Sequence, residues 1–298
     1  MTTPVIRTFT ASDGYRLHYR HWQPGSAPRA TVVALHGIQS HSGWFSWSSG
    51  RLTEAGFEVC FLDRRGSGMN EPARGCADSA ERLIDDVAPF LEEVRSRDTS
   101  NTPLILLGVS WGGKLATVTA ARRPDLIDEL ALLYPGLRAR VRTRWDQSLR
   151  LSLAEWLGIR DKRVRVPLND AALFTGEPRW QEMIDNDPLA LHEVTVSFLL
   201  ANRQLDCQLP KCPAAIRLPV LVMLAGRDEI IDSAATARYV LQFATPDLSL
   251  IEYPNARHTL EFEPDRDKFI NDLIAWLARV SARKNHRPAE FASRADKE

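Results

Sequence analysis

The 298-residue sequence predicts an α/β protein, with a mostly parallel central sheet, helices on both faces and one inserted helical cap. Three observations predict it. Short continuous apolar runs, of the kind a strand buried on both faces needs, alternate with stretches of helical spacing. The run Pro103-Leu104-Ile105-Leu106-Leu107 passes through Gly108-Val109-Ser110-Trp111-Gly112-Gly113 straight into a helical stretch that Pro124 stops. The alternation then breaks from Leu137 to about Ala215, where no strand-like run occurs, before it resumes. A chain of this length can bury about 75% of its unfolded surface, enough for one large domain.

Taken in order, Val5 to Thr10 and Arg16 to Trp22, joined by Ser12-Asp13-Gly14, read as an antiparallel hairpin at a sheet edge. Ala30 to Leu35 is a buried strand, Ser46 to Ala55 a helix, and Phe57 to Leu62 the next strand. Glu81 to Arg97 carries Leu83, Ile84, Val87, Leu91 and Val94 at helical spacing, with Pro89 as a kink. After the serine-bearing strand and its helix, Glu129 to Tyr134 forms another strand. Beyond the break come a strand at Pro219 to Ala225, a helix at Ser233 to Phe243, a strand at Leu248 to Tyr253 and a helix at Arg266 to Arg283. Parallel strands need right-handed crossovers, so the helices divide between the two faces. Residues 1–136 and 216–283 are thus the expected core and 137–215 the cap. Residues 284–298 lack apolar spacing and read as a disordered tail.

Lysine plus arginine and aspartate plus glutamate balance at 38 each, so no overall field selects nucleic acid. No stretch has the length and apolarity of a membrane span, and no signal segment is evident, which makes a cytoplasmic protein the expectation. Cys60, Cys76, Cys207 and Cys212 are too scattered for a disulfide framework or a zinc site, and reduced packing thiols are expected. No cofactor and no metal is expected.

Gly-x-Ser-x-Gly between a strand and a helix lifts the serine hydroxyl above the sheet edge, and its glycines let strand and helix backbones pass closely. A serine becomes a nucleophile only when a base takes its proton, and imidazole has the pKa for that task. Of seven histidines, His258 alone follows the last strand closely, which places it at the same carboxyl edge as Ser110. His36 reads as holding its own loop in shape. The imidazole needs an acid to fix its tautomer, and Asp228 stands at the tip of the preceding strand. Asp232 better suits a helix cap, and Asp63 an ion pair with Arg64 or Arg65. Charge developing on the substrate oxygen calls for two preset donors, the backbone N–H groups of Trp111 and Ile38.

The order Ser, Asp, His is that of α/β-hydrolases, and the sequence resembles the monoacylglycerol lipase and lysophospholipase group, the serine aminopeptidase-like hydrolases. The resemblance rests on His36-Gly37 with His41-Ser42-Gly43, Asp63 with Arg65-Gly66-Ser67-Gly68, Gly108 to Gly113, Asp187-Pro188-Leu189, Gly226 to Asp228, and His258, and spans roughly residues 15 to 280. It implies the α/β-hydrolase fold and a cofactor-free serine hydrolase that cleaves carboxylic esters with an apolar acyl chain through an acyl-enzyme on Ser110. A small ester or lipid is the implied partner. Trp111, and Arg65 to Gly68 followed by Glu71-Pro72, are also similar to prolyl aminopeptidases; a peptidase would need an acid to hold the substrate ammonium, and Glu182 and Glu193 are the candidates. A third reading is a non-catalytic receptor on the same scaffold.

Aromatics should make the substrate pocket apolar: Trp44, Phe45 and Trp111 from the core, Trp145 and Trp156 from the cap. Between Arg138 and Arg165 nine basic residues face three acidic ones. Trp145, Leu149, Leu153, Trp156 and Leu157 share one helical face there. Two readings follow: the aromatics pack over the pocket while arginines face water, or the basic amphipathic helix makes transient contact with an anionic membrane surface.

Overall fold

The computed structural model describes residues 2–98, 102–140, 145–168 and 170–284, apart from the side chains of residues 145–150, 283 and 284. β1 (Val5–Thr10) and β2 (Arg16–Trp22) form the edge hairpin, followed by β3 (Thr31–Leu35), α1 (Ser46–Glu54) and β4 (Glu58–Leu62). α2 (Ala80–Arg97) runs unbroken through Pro89 and leads to β5 (Leu104–Val109), α3 (Trp111–Arg122) and β6 (Glu129–Leu133). An insertion then carries α4 (Trp145–Trp156), β7 (Arg163–Arg165), α5 (Pro178–Asn186), β8 (Glu193–Thr195), α6 (Val196–Gln208) and α7 (Cys212–Ala215). β9 (Val220–Ala225), α8 (Ser233–Val240), β10 (Leu248–Tyr253) and α9 (Arg266–Lys284) complete the chain.

Among the described residues the main sheet has eight strands in the order β1-β2-β4-β3-β5-β6-β9-β10, antiparallel at β1, β2 and β4 and parallel from β4 onward. Every residue of β3, β5, β6 and β9 is buried, as their unbroken apolar runs require when helices cover both faces. The outer strand β10 is half-exposed along most of its length.

The expectation that residues 137–215 contain no strand is corrected. β7 and β8 pair antiparallel, Arg163 opposite Thr195 and Arg165 opposite Glu193. Each has three residues with a single apolar one, too short for an alternating pattern to register. The insertion is tied to the core at its start, where Arg140 N donates to Ile230 O at 2.9 Å and Asp232 N donates to Arg138 O at 2.8 Å. Farther along, α6 packs on α2 and α3. The thiols of Cys60, Cys76, Cys207 and Cys212 are all free. Of residues 284–298, read as a disordered tail, Lys284 instead ends α9 and residues 285–298 lie outside the described residues.

Candidate active site

The loops after β3, β5, β9 and β10 all leave the carboxyl edge of the parallel strands, so residues far apart in sequence meet there by topology alone. Between β5 and α3 the chain turns at Ser110, whose φ of 51° is a left-handed backbone that a non-glycine residue adopts only when its surroundings enforce it. The glycines make that turn possible. A Cβ on Gly108 would lie 2.6 Å from Gly113 Cα, and one on Gly112 would run into the carbonyls of Leu35 and His36.

Ser110 Oγ lies 2.8 Å from His258 Nε2, and His258 Nδ1 lies 2.7 Å from Asp228 Oδ2. A carboxylate only accepts, so Nδ1–H donates to Asp228, and Nε2 is left free to accept from the serine hydroxyl. The other Asp228 oxygen accepts from the backbone N–H groups of Ile230 and Ile231, both at 2.8 Å, which fixes the carboxylate. Its rival Asp232 caps α8 by accepting from Ala235 N at 2.8 Å. The imidazole ring is held between Tyr134 and Phe174, whose ring centroids stand 4.9 Å and 5.9 Å away. Sequence reasoning missed both; the signal for Tyr134 was its place at a strand tip, on the same edge as Ser110.

The loop after β3 presents Ile38 beside Ser110. Gly37 brings it close, since a Cβ there would stand 3.3 Å from Ser110 Cβ. His36 locks the loop with both nitrogens, accepting from Arg64 N at 2.9 Å and donating to Gly37 O at 2.7 Å. Burial lowers its pKa to about 3, so it is a neutral structural group, in keeping with the loop-holding role expected for it. Arg64 adds a donor to Ile38 O at 3.0 Å, with its guanidinium against the rings of Trp111 at 5.0 Å and Phe198 at 4.7 Å. Trp111 begins α3, where a helix has no internal partner for its first N–H groups.

The ion pair expected between Asp63 and Arg64 or Arg65 is not formed. Asp63 accepts from the backbone N–H groups of Ser42 at 2.7 Å and Met69 at 3.0 Å, and Arg65 instead grips Asp86 at 2.7 Å. Arg64 is taken up by Ile38 O and the Trp111 ring and Arg65 by Asp86, and the cation that stands beside Asp63 is Arg20, at 3.9 Å.

A narrow cavity of about 20 Å³ adjoins Ser110 and His258, with Ile38, Gln39, Trp44, Phe45, Tyr134, Leu168 and Phe174 among its walls. Trp44 and Phe45, read from the sequence as pocket residues, both border this cavity. Trp44 Nε1 donates to Asp187 Oδ2 at 2.5 Å, and His41 Nε2 bonds the same oxygen at 2.9 Å, which ties the insertion to the β3 loop. Burial alone would raise the pKa of Asp187, but these hydrogen bonds hold it down to about 2.

Other expected pocket residues lie elsewhere. The Trp111 ring is turned toward α6, packed against Phe198 at 5.2 Å with Nε1 donating to Asn202 at 2.8 Å. Trp156 is 81% exposed on the outside of α4, with Leu153 and Leu157 beside it, because that helix turns this face outward and not onto the sheet edge. The side chain of Trp145 falls outside the described residues. Glu182 is exposed on α5, and Glu193 borders a separate groove with Arg74, Arg163 and Arg165. Neither acid reaches the cavity at Ser110.

A strand-turn-helix with a serine at its apex, faced by a histidine and an aspartate from later loops of the same sheet edge, defines the α/β-hydrolases. Within that class, a family model described as "Serine aminopeptidase, S33" matches residues 26–265, and the chain belongs to this family of hydrolases. It is 27% identical over 277 residues to a monoacylglycerol lipase of Mycolicibacterium smegmatis, covering 93% of this chain and 98% of that one. It is 26% identical over 248 residues to the phospholipase YtpA of Bacillus subtilis, covering 80% and 92%. The fold is that of a soluble variant of monoglyceride lipase from Saccharomyces cerevisiae, solved with a substrate analogue, at a TM-score of 0.83 and 22% identity over 94% of this chain and 96% of that one.

Proposed function

We propose that the protein is a serine hydrolase of carboxylic esters with an apolar acyl chain, acting through an acyl-enzyme on Ser110. The observation that carries this reading is the continuous hydrogen-bonded line from Ser110 through His258 to Asp228. As Ser110 Oγ attacks the ester carbonyl, its proton passes to His258 Nε2, and Asp228 stabilises the imidazolium. The carbonyl oxygen becomes an oxyanion facing the N–H groups of Ile38 and Trp111. Collapse returns the proton to the departing alcohol, and water activated by His258 releases the acid.

The apolar walls at Trp44, Phe45, Leu168 and Phe174 suit an acyl chain. The similarity to a monoacylglycerol lipase and a phospholipase supports a glyceride-type or lysophospholipid-type ester. At about 20 Å³ the cavity has room for little more than one water, so an acyl chain enters as Leu168 and Phe174 of the insertion move aside. In this reading the insertion is the cap. Its outer face supports transient contact with an anionic lipid surface: exposed Leu153, Trp156, Leu157 and Ile159 lie next to Arg160, Lys162, Arg163 and Arg165. No described helix is long and apolar enough to cross a membrane, and the free thiols suit the reducing cytoplasm in which we place the protein.

The two acids a peptidase reading called on, Glu182 and Glu193, stand away from the cavity, and no acid lines it among the described residues. Parallel assays of fatty-acid esters and aminoacyl naphthylamides test the assignment. The expected result is ester turnover, fluorophosphonate labelling of Ser110, and a fall in kcat of about 10⁶-fold with loss of labelling in Ser110→Ala. Amide turnover without ester turnover would favour the peptidase. A well-folded protein that resists the fluorophosphonate would be a receptor.

A further inference from the structure

Gln39 stands out among the cavity walls. It is 98% buried, being 2% exposed, and borders the same cavity as Ser110 and His258. Its position is fixed at both ends: its backbone carbonyl accepts from Leu191 N of the insertion at 2.9 Å, and its side-chain Nε2 lies 3.2 Å from His192 Nδ1. The other half of the amide, Oε1, is buried with no hydrogen-bond partner among the described residues. An unsatisfied buried carbonyl costs the fold free energy, and one that persists beside a reactive centre asks for a donor from a ligand.

The chemistry of the substrate says where that donor comes from. The proposal rests on the ester-hydrolase reading above. A fatty acyl chain carries neither N–H nor O–H, so no part of it can satisfy Gln39, and the donor has to belong to the alcohol portion. Because Gln39 shares one small cavity with Ser110 and His258, that donor sits near the scissile bond. We infer that Gln39 is a specificity-determining residue that binds a free hydroxyl on the alcohol side of the ester, so that monoesters of polyols are selected over esters of simple alcohols. The hydroxyl donates to Gln39 Oε1 while His192 holds the amide nitrogen, which orients the carboxamide. No bond is made or broken at Gln39.

Selection of this kind is large for small cause. A site that hydrogen-bonds a substrate hydroxyl rejects the analogue lacking it, because the buried acceptor is then left unpaired. The test compares kcat/KM for a 1-monoacylglycerol with that for the propyl ester of the same fatty acid, which lacks only the two hydroxyls. A 1-acyl lysophospholipid, which keeps one hydroxyl beside a phosphate, is the third arm. In the wild-type protein the monoacylglycerol should exceed the propyl ester by about tenfold or more. Gln39→Met keeps the length of the side chain and removes its polar atoms, and should lower that ratio about tenfold. Gln39→Glu keeps an acceptor and should retain most of the preference.

A lysophospholipid used as well as the monoacylglycerol assigns recognition to the shared hydroxyl; a poorly used one restricts the alcohol portion to uncharged polyols, with the same role for Gln39. A wild-type ratio near one, or a ratio that Gln39→Met leaves in place, overturns the inference while Ser110-dependent ester hydrolysis stands. If no ester is turned over and Ser110→Ala changes nothing, both this inference and the function it rests on fail.

Discussion

The carboxyl edge of the sheet and the outer face of the insertion handle polar and apolar groups in opposite ways. At the edge, Asp228, His258, His36 and Asp63 are buried, and their polar atoms are tied to backbone groups, to Ser110 or to one another. On the insertion, Trp156 is 81% exposed, Leu153 and Leu157 are each 53% exposed, and the neighbouring arginines face outward. A reacting centre gains from groups that do not reorganise during the reaction, so it belongs where packing holds them still. A surface that meets large or variable ligands gains from exposed apolar area that no packing commitment consumes. Under the proposed function, chemistry and encounter fall to different parts of the chain, with Leu168, Phe174 and Gln39 at the seam.

The sharpest way to break this comparison is at Asp228. Asparagine there keeps an oxygen for Ile230 and Ile231 but presents the wrong partner to His258. Turnover should fall about 10⁴-fold while the Tm stays within a few degrees of the wild type. A large loss of Tm with little loss of turnover would mean that the buried carboxylate serves the fold and not the reaction.

A second test concerns a buried acid beneath the same edge. Glu261 accepts from Ser48 N at 3.0 Å through one oxygen, and burial raises its pKa to about 7. Between its ordinary value of 4.5 and about 7 the folded protein keeps a proton that the unfolded chain has lost, so stability falls as pH rises through that window. Glu261→Gln retains the acceptor without the titration. Its unfolding free energy should gain on the wild type as pH rises from 4.5 to 7, by about 3 kcal/mol, with a matching rise in relative Tm. Parallel thermal scans at several pH values check this; a constant difference between the two proteins would deny the buried ionisation.

The smallest effect on the fold belongs to the outer face. Trp156→Ser should change stability by no more than about 0.5 kcal/mol, since little of the side chain is buried. Binding to vesicles rich in anionic lipid should nevertheless weaken several-fold in sedimentation assays, with turnover of a short soluble ester kept. Unchanged vesicle binding would remove the membrane role from this surface.

Much of the edge was legible in the sequence because short connections tie function to strand ends. A serine one residue past β5, an aspartate three past β9 and a histidine five past β10 can reach only one rim of the sheet. Asp228 could be told from Asp232 because a helix start has its own use for an acid, and Asp232 serves it. The glycines at 108 and 112 announced the close strand-helix passage that they permit.

Other features depend on rotations and approaches that spacing does not encode. The apolar face of α4 was readable, yet whether it turned toward the pocket or away was decided by how the insertion sits on α2 and α3. Asp63 passed over its two neighbouring arginines for backbone donors, and the Trp111 ring turned to Asn202, because the nearest satisfied partner in space outcompetes the nearest one in sequence. Gln39 meets His192 across 153 positions. The sequence by itself therefore determined the order of strands and helices in the core and the three side chains gathered at the sheet rim, since periodicity and loop length are local properties. Only the tertiary structure decided which way the insertion faces and which buried groups pair, since those depend on surfaces that come together after the local elements exist.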